Sequence, residues 1–270
     1  MTTNVVDVVT PRGEYVRALD FDGRRCVVCV RQIETTLLDV TATGAQPARA
    51  VAIVQTMLGT QRDLRRWQSR AARFPWIARL ARALRGMKPP RYPTLWEALC
   101  NAVVFQQLSI VAASSIMRRF VEAFSEPMLC YGCAVYPFPQ PERLAAASPR
   151  TLLGVGLSRQ KSASLGAIAR AFASNAVDAE AIGGLPTPAA LEALRALPGI
   201  GPWSAANVLL RGLGRLDAFP LQDSGVRANV IRLAGDANVD LARVLEALGD
   251  VRGMLYFHLL LGGLGVATGA

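Results

Sequence analysis

Hydrophobic and polar positions along the first fifty residues fall in the short runs that strands make. Tyr15–Leu19, Cys26–Gln32 and Thr36–Thr43 are rich in β-branched and aromatic residues, and Asp22-Gly23 between the first two is a hairpin-turn signal. Three strands seldom stand alone, so the pattern predicts a small antiparallel sheet backed by a helix. Pro47–Met57 supplies that helix, with Val51, Val54 and Met57 at helical spacing. From Arg62 to Arg85 the period is again helical. Leu64, Trp67, Ala71 and Phe74 form an apolar stripe among Arg62, Arg65, Arg66, Arg70 and Arg73, a basic face that is either solvated or laid against a polyanion. Lys88-Pro89-Pro90-Arg91-Tyr92-Pro93 is closed to helix by its prolines and marks a domain boundary.

Everything after Pro93 reads as helix. Thr94 with Glu97 makes a capping box, Ser148 and Ser158 are N-caps, and Pro186-Thr187-Pro188 leads into a helix that ends at Leu197. The fold predicted is mainly α: a small β-rich α+β domain over residues 1–88, then a helical domain over 89–270. Two apolar stretches, Ala98–Met117 and Leu255–Ala270, are too polar or too short to span a bilayer. With no basic-then-apolar leader at the N-terminus, the chain reads as cytoplasmic, without a membrane partner.

Charge and cysteine content narrow the chemistry. Lys and Arg number 30 against 20 Asp and Glu, a net charge of +10 carried almost wholly by arginine. Such an excess favours a polyanionic partner, because neutralising phosphates releases counterions. The five cysteines include two C-x-x-C pairs, Cys26/Cys29 and Cys130/Cys133. Residues three apart on a strand point to opposite faces, so a shared metal would need the first strand to bend. Small buried thiols are the simpler reading.

Leu197-Pro198-Gly199-Ile200-Gly201 is the segment richest in chemistry. Its glycines permit a tight turn between two helices, and Pro202 suits the first position of the second helix. Backbone N–H groups at such a start hold a phosphate without any side chain. Asp223 follows at a fixed distance; it is also placed to cap the helix that begins at Ser224.

Leu197 through Asn207 resembles the hairpin of the helix-hairpin-helix DNA glycosylase superfamily, and Phe219-Pro220-Leu221-Gln222-Asp223-Ser224-Gly225-Val226-Arg227 resembles its catalytic-aspartate segment. Leu95–Ser109 is similar to the family's first helical signature, and Gly156-Leu157-Ser158-Arg159-Gln160-Lys161 to the turn that opens its central helix. The branch that also cuts the backbone carries a lysine two residues after the last hairpin glycine, where this chain has Trp203. The iron–sulfur branch carries four cysteines near the C-terminus, and here the last is Cys133. The combination resembles the bacterial 3-methyladenine glycosylase II branch, so the resemblance implies no lyase activity, no iron–sulfur cluster and no organic cofactor.

The resemblance also implies roles. Asp223 is catalytic. Trp203, Phe105, Asn207, Tyr256 and Phe257 are assigned to the base pocket, with core packing the alternative for Trp203, Tyr256 and Phe257. Gln107 or Gln106 fills the gap left by a flipped nucleotide. Gly199, Ile200, Gly201, Trp203 and Ser204 lie against DNA phosphate, and the main-chain carbonyls of Leu197 and Gly199 hold a monovalent cation. His258, the only histidine, sits in an apolar helix and reads as a core residue. The implied partner is double-stranded DNA containing a damaged base, bound by a monomer.

The chemistry agrees with that assignment. A base inside a duplex is reached only by extrusion, and its release passes through a sugar cation that a fixed carboxylate stabilises. An alkylated purine is already a good leaving group, and an indole attracts its positive charge. Removal of deaminated or oxidised bases is the alternative within the same chemistry. A DNA-binding module without catalysis is the alternative outside it.

Overall fold

A computed structural model of the chain describes residues 4–263. In chain order the elements are β1 (Asp7–Val9), β2 (Tyr15–Phe21), β3 (Arg24–Glu34), β4 (Leu37–Gly44), α1 (Pro47–Leu58), α2 (Arg65–Ala71), α3 (Pro75–Ala83), α4 (Leu95–Phe105), α5 (Ile110–Phe124), β5 (Met128–Cys130) and β6 (Cys133–Val135). They continue as α6 (Pro141–Ala145), α7 (Pro149–Gly154), α8 (Arg159–Ala173), α9 (Ala179–Gly184), α10 (Thr187–Arg195), α11 (Pro202–Arg211), α12 (Ser224–Ala234), α13 (Leu241–Leu248), a 3-10 turn (Gly249–Val251) and α14 (Arg252–Gly263). Among the described residues no helix is long and apolar enough to cross a membrane.

The chain divides into two compact units, but not at the proline-rich segment after residue 88. One unit holds residues 4–56, 96–179 and 197–199; the other holds 57–95, 180–196 and 200–263. The physical reason lies in the sheet. Its strands run antiparallel in the order β1-β2-β3-β4, and Cys26 through Val30 of β3 are all buried. Consecutive strand residues point to opposite faces, so both faces are covered, and a single backing helix would not suffice.

On one face Val16 pairs with Cys29 and Ala18 with Val27, and this layer packs on Val135, Met128, Cys130 and Cys133 of the β5–β6 hairpin. On the other face Arg17 is buried and bridges Asp7 and Glu97, each at 2.5 Å. Burial pushes the Asp7 carboxyl up, but the Arg17 charge and hydrogen bonds from Tyr15, Arg17 and Asn4 outweigh it and hold the group below its ordinary value. The ion pair thus ties the sheet to the first turn of α4.

Several local expectations are met. Asp22 and Gly23 both have positive φ (55° and 83°), the turn that suits a two-residue hairpin. Ser148 and Ser158 accept from the backbone N–H groups of Thr151 and Lys161 as N-caps. The basic stretch 62–85 is helical as read, in two helices, because Phe74 is extended ahead of Pro75 and cannot continue α2. One expectation fails. The segment 128–135 is a β-hairpin rather than helix, with Tyr131 and Gly132 at positive φ between Cys130 and Cys133.

Cys26 and Cys29 do lie on opposite faces, and only Cys29 joins the layer with Cys130 and Cys133. Among the described residues no group of His, Cys, Asp or Glu is arranged to hold a metal.

The unit that carries α11 and α14 has His258 in its core, 1% exposed. Its Nδ1 is 2.8 Å from the Met254 carbonyl, and its ring centroid is 4.7 Å from that of Trp67. Burial lowers its pKa to about 4, the Met254 hydrogen bond opposing the shift. The folded value is below the unfolded one of about 6.5, so the unfolded chain takes up the proton first. The neutral ring's contribution is full above pH 6.5 and is lost as pH falls toward 4, a change on the order of 3 kcal/mol. Urea unfolding at pH 7.5 and 4.5 should show a larger acid loss for the unaltered chain than for His258→Gln. Equal losses would contradict the linkage.

Candidate active site and nucleic-acid interface

The hairpin between α10 and α11 has the backbone its sequence predicts. Gly199 is at φ +76°, and a Cβ there would fall 2.2 Å from Ser164 Oγ on α8, so both conformation and space demand glycine. Gly201 is the N-cap of α11 and Pro202 occupies the first turn. A glycine cap brings no side-chain acceptor, whereas Ser158, Asp223 and Asp240 cap their helices with an oxygen. A helix start of this kind is open to an acceptor from outside, such as a phosphate. Ile200 and the side chain of Ser204 are buried, at 5% and 2% exposure, so what Ser204 can offer a phosphate is backbone.

From that start α11 presents the two candidate side chains Trp203 and Asn207 one turn apart. The Trp203 indole Nε1–H donates to Asp223 Oδ2 at 3.0 Å. The Tyr256 hydroxyl of α14 donates to the same oxygen at 3.0 Å and accepts from Asn207 Nδ2 at 3.3 Å. The other oxygen, Oδ1, accepts from the Val226 N–H at 3.1 Å, making Asp223 the N-cap of α12. Capping and a site role therefore coexist in one carboxylate. Asp223 is half-buried, while Asn207 and Tyr256 are buried. Burial first, then the Asp223 charge and hydrogen bond, push the Tyr256 phenol above its ordinary pKa, so it remains a donor at neutral pH.

Tyr256 is walled by Phe219 and Phe257, both edge-on to it at ring distances of 6.0 and 6.1 Å. Phe257 is 5% exposed and Phe219 8%, so both support the phenol rather than offer an open face. The approach of α14 depends on Gly253, where a Cβ would lie 2.5 Å from Leu210 Cδ1 and 2.9 Å from the carbonyl oxygens of Leu216 and Ala218.

The remaining candidates belong to the unit that holds the sheet. Phe105 is the half-buried last residue of α4. Gln107 is exposed, with φ +54°, a left-handed conformation that costs a residue with a Cβ about 1–2 kcal/mol. Gln106 is turned elsewhere: its Nε2 donates to the Gly199 carbonyl at 2.9 Å. Leu108 is 39% exposed, followed by Ser109 as the N-cap of α5 and by Ile110 and Val111 at 59% and 76%. Sequence reasoning passed over Leu108, because an apolar residue just before an N-cap reads as a hydrophobic staple. Leu221, beside Asp223 and 62% exposed, was missed in the same way.

A single carboxylate with two aromatic donors, a phosphate-ready hairpin and an exposed Gln-Leu turn are the parts set out by the fold. Residues 100–249 match the family described as HhH-GPD superfamily base excision DNA repair protein. A DNA-3-methyladenine glycosylase of Bacillus subtilis is 34% identical over 164 residues, 61% of this chain and 54% of that protein. A probable bifunctional transcriptional activator/DNA repair enzyme AlkA of Mycobacterium tuberculosis is 33% identical over 226 residues, 83% of this chain and 40% of its own length. The chain thus spans about half, or less, of these relatives. In fold it is similar to the solved 3-methyladenine DNA-glycosylase of Archaeoglobus fulgidus, with a TM-score of 0.82 at 24% identity over 96% of this chain and 89% of that one.

If Asp223 is held as described, Tyr256→Phe removes one charge-assisted hydrogen bond and leaves the Asn207 amide short of its acceptor. The expected cost is about 1.5–3 kcal/mol, read as a fall in the urea midpoint with unchanged slope. A variant as stable as the original would show that this bond does not hold the carboxylate.

Proposed function

The chain belongs to the HhH-GPD superfamily of base excision DNA repair proteins, and from that premise we propose that it is a monofunctional DNA glycosylase that removes alkylated purines from double-stranded DNA. The observation that carries this reading is the Asp223 carboxylate, fixed by a backbone N–H, an indole and a phenol, with Trp203 where a lyase would need a lysine amine.

The hairpin N–H groups take a backbone phosphate, aided by the positive end of α11. Where a monovalent cation is bound, the Leu197 and Gly199 carbonyls would hold it; the Gly199 oxygen keeps one lone pair beyond that used by Gln106. Such an ion supplies positive charge behind the hairpin, and no step below depends on it. The exposed turn Gln107-Leu108 enters the stack where a nucleotide has been extruded, and Leu108 supplies the apolar wedge that such insertion favours.

The extruded base is an alkylated purine that carries positive charge and stacks on an electron-rich indole. Its bond to C1′ breaks with the electron pair leaving on the base, which departs neutral. The positive charge passes to the sugar, where the Asp223 carboxylate stabilises it. Water adds to C1′ and gives up a proton to bulk solvent, leaving an abasic site. Without an amine to form a Schiff base, the strand stays intact.

Asp223→Asn retains an oxygen able to cap α12 but carries no charge and turns an N–H toward Trp203. Release of methylated purines should fall by about 10²–10⁴-fold, while affinity for an abasic duplex stays within about threefold. Turnover near that of the unaltered chain would remove Asp223 from the chemistry.

A further inference from the structure

Three contacts within the sheet-bearing unit form a closed circuit that the proposed reaction does not itself require. Lys161, in the first turn of α8, donates from Nζ to the Val104 carbonyl at 2.8 Å and to the Gln106 carbonyl at 2.7 Å. A cation on carbonyls at the end of α4 is favoured by the helix dipole, and it pins the peptide that precedes the left-handed Gln107. The Gln106 side chain then reaches the Gly199 carbonyl. Gly199 rests on Ser164 of the same α8, so closely that no Cβ would fit. From α8 to the Gln107-Leu108 turn, across to the hairpin glycine and back to α8, each link is a hydrogen bond or a close backbone packing.

We propose that Gln106 is a strut, not a wedge: its carboxamide ties the Gln107-Leu108 turn to the Gly199 carbonyl, so that the turn meets DNA already braced against the hairpin. This rests on the reading of Gln107-Leu108 as the inserting element. Gln106 is a positioning residue, acting on DNA through its neighbours. With the strut in place, the left-handed Gln107 cannot relax without pulling on Gly199, and the energy of insertion is not spent on ordering the turn. Without it the turn loses its tie to the hairpin, and Leu108 swings free of the gap it would fill.

The test is a double-mutant cycle on the full chain. Affinity is measured for a duplex with a tetrahydrofuran abasic analogue and for the same duplex undamaged. Gln106→Met keeps length and bulk without an N–H; Gln106→Glu keeps shape and replaces the donor with an acceptor. Each is combined with the wedge truncation Gln107→Ala/Leu108→Ala. Thermal melting of the free proteins identifies any variant that does not fold, and the cycle is read on the Gln106 variant that does. In the unaltered background the truncation should reduce preference for the abasic duplex by about tenfold. In the Gln106 background it should reduce it by less than about twofold, because the turn is already unbraced. A mere loss of stability would not produce that non-additivity. Equal losses in both backgrounds would overturn the strut alone. No loss on truncating the unaltered chain would overturn the wedge reading and the strut with it.

Discussion

The carboxylate of Asp223 receives donors from three helices at once: the Val226 N–H of α12, the Trp203 indole of α11 and the Tyr256 phenol of α14. Each such bond to a charged acceptor is worth about 1.5–3 kcal/mol, and each fixes a different degree of freedom. The cap sets the carboxylate's position at the helix start. The two ring donors set its rotation about the Cβ–Cγ bond, since both converge on the same oxygen. A group fixed by structural bonds needs no rearrangement when charge develops beside it, which is how electrostatic stabilisation becomes effective in catalysis.

Two glycines make the surrounding geometry attainable. Gly253 admits α14 to a distance from Leu210 and the Leu216–Ala218 segment that any side chain would prevent, and that approach brings Tyr256 to Asp223. Gly199 does the same for the hairpin against α8, with a positive φ as a second requirement. The scaffold is therefore tightly packed where Tyr256 and the hairpin are positioned. The turn at Gln107-Leu108, where contact with a deformed duplex is proposed, is exposed.

Much of this was legible in the sequence, for identifiable reasons. Hairpin glycines, a proline at the first helical turn and an aspartate before Ser224-Gly225 are local signals with local causes, and the structure places them as read. So are the Asp22-Gly23 turn and the serine caps of α7 and α8. What escaped reading is what depends on distant partners. Arg17 in the middle of an apolar strand has no local explanation until Asp7 and Glu97 are seen beside it. Gln106 and Gln107 are adjacent and chemically identical, and what distinguishes them is the Gly199 carbonyl that Gln106 reaches and the left-handed, exposed backbone of Gln107. The β5–β6 hairpin was hidden because Cys130-Tyr131-Gly132-Cys133 drew attention as a thiol pair. The compact units interleave along the chain, since proline-rich punctuation marks a break in helix and not a break in packing.

The most direct test is whether the chain releases an alkylated base and leaves the strand whole. Methylated duplex DNA incubated with excess protein, then analysed for free purines and for strand breaks before and after hot alkali, measures both. The prediction is release of 3-methyladenine or 7-methylguanine, with breaks only after alkali. Breaks before alkali, or no purine released, would contradict it.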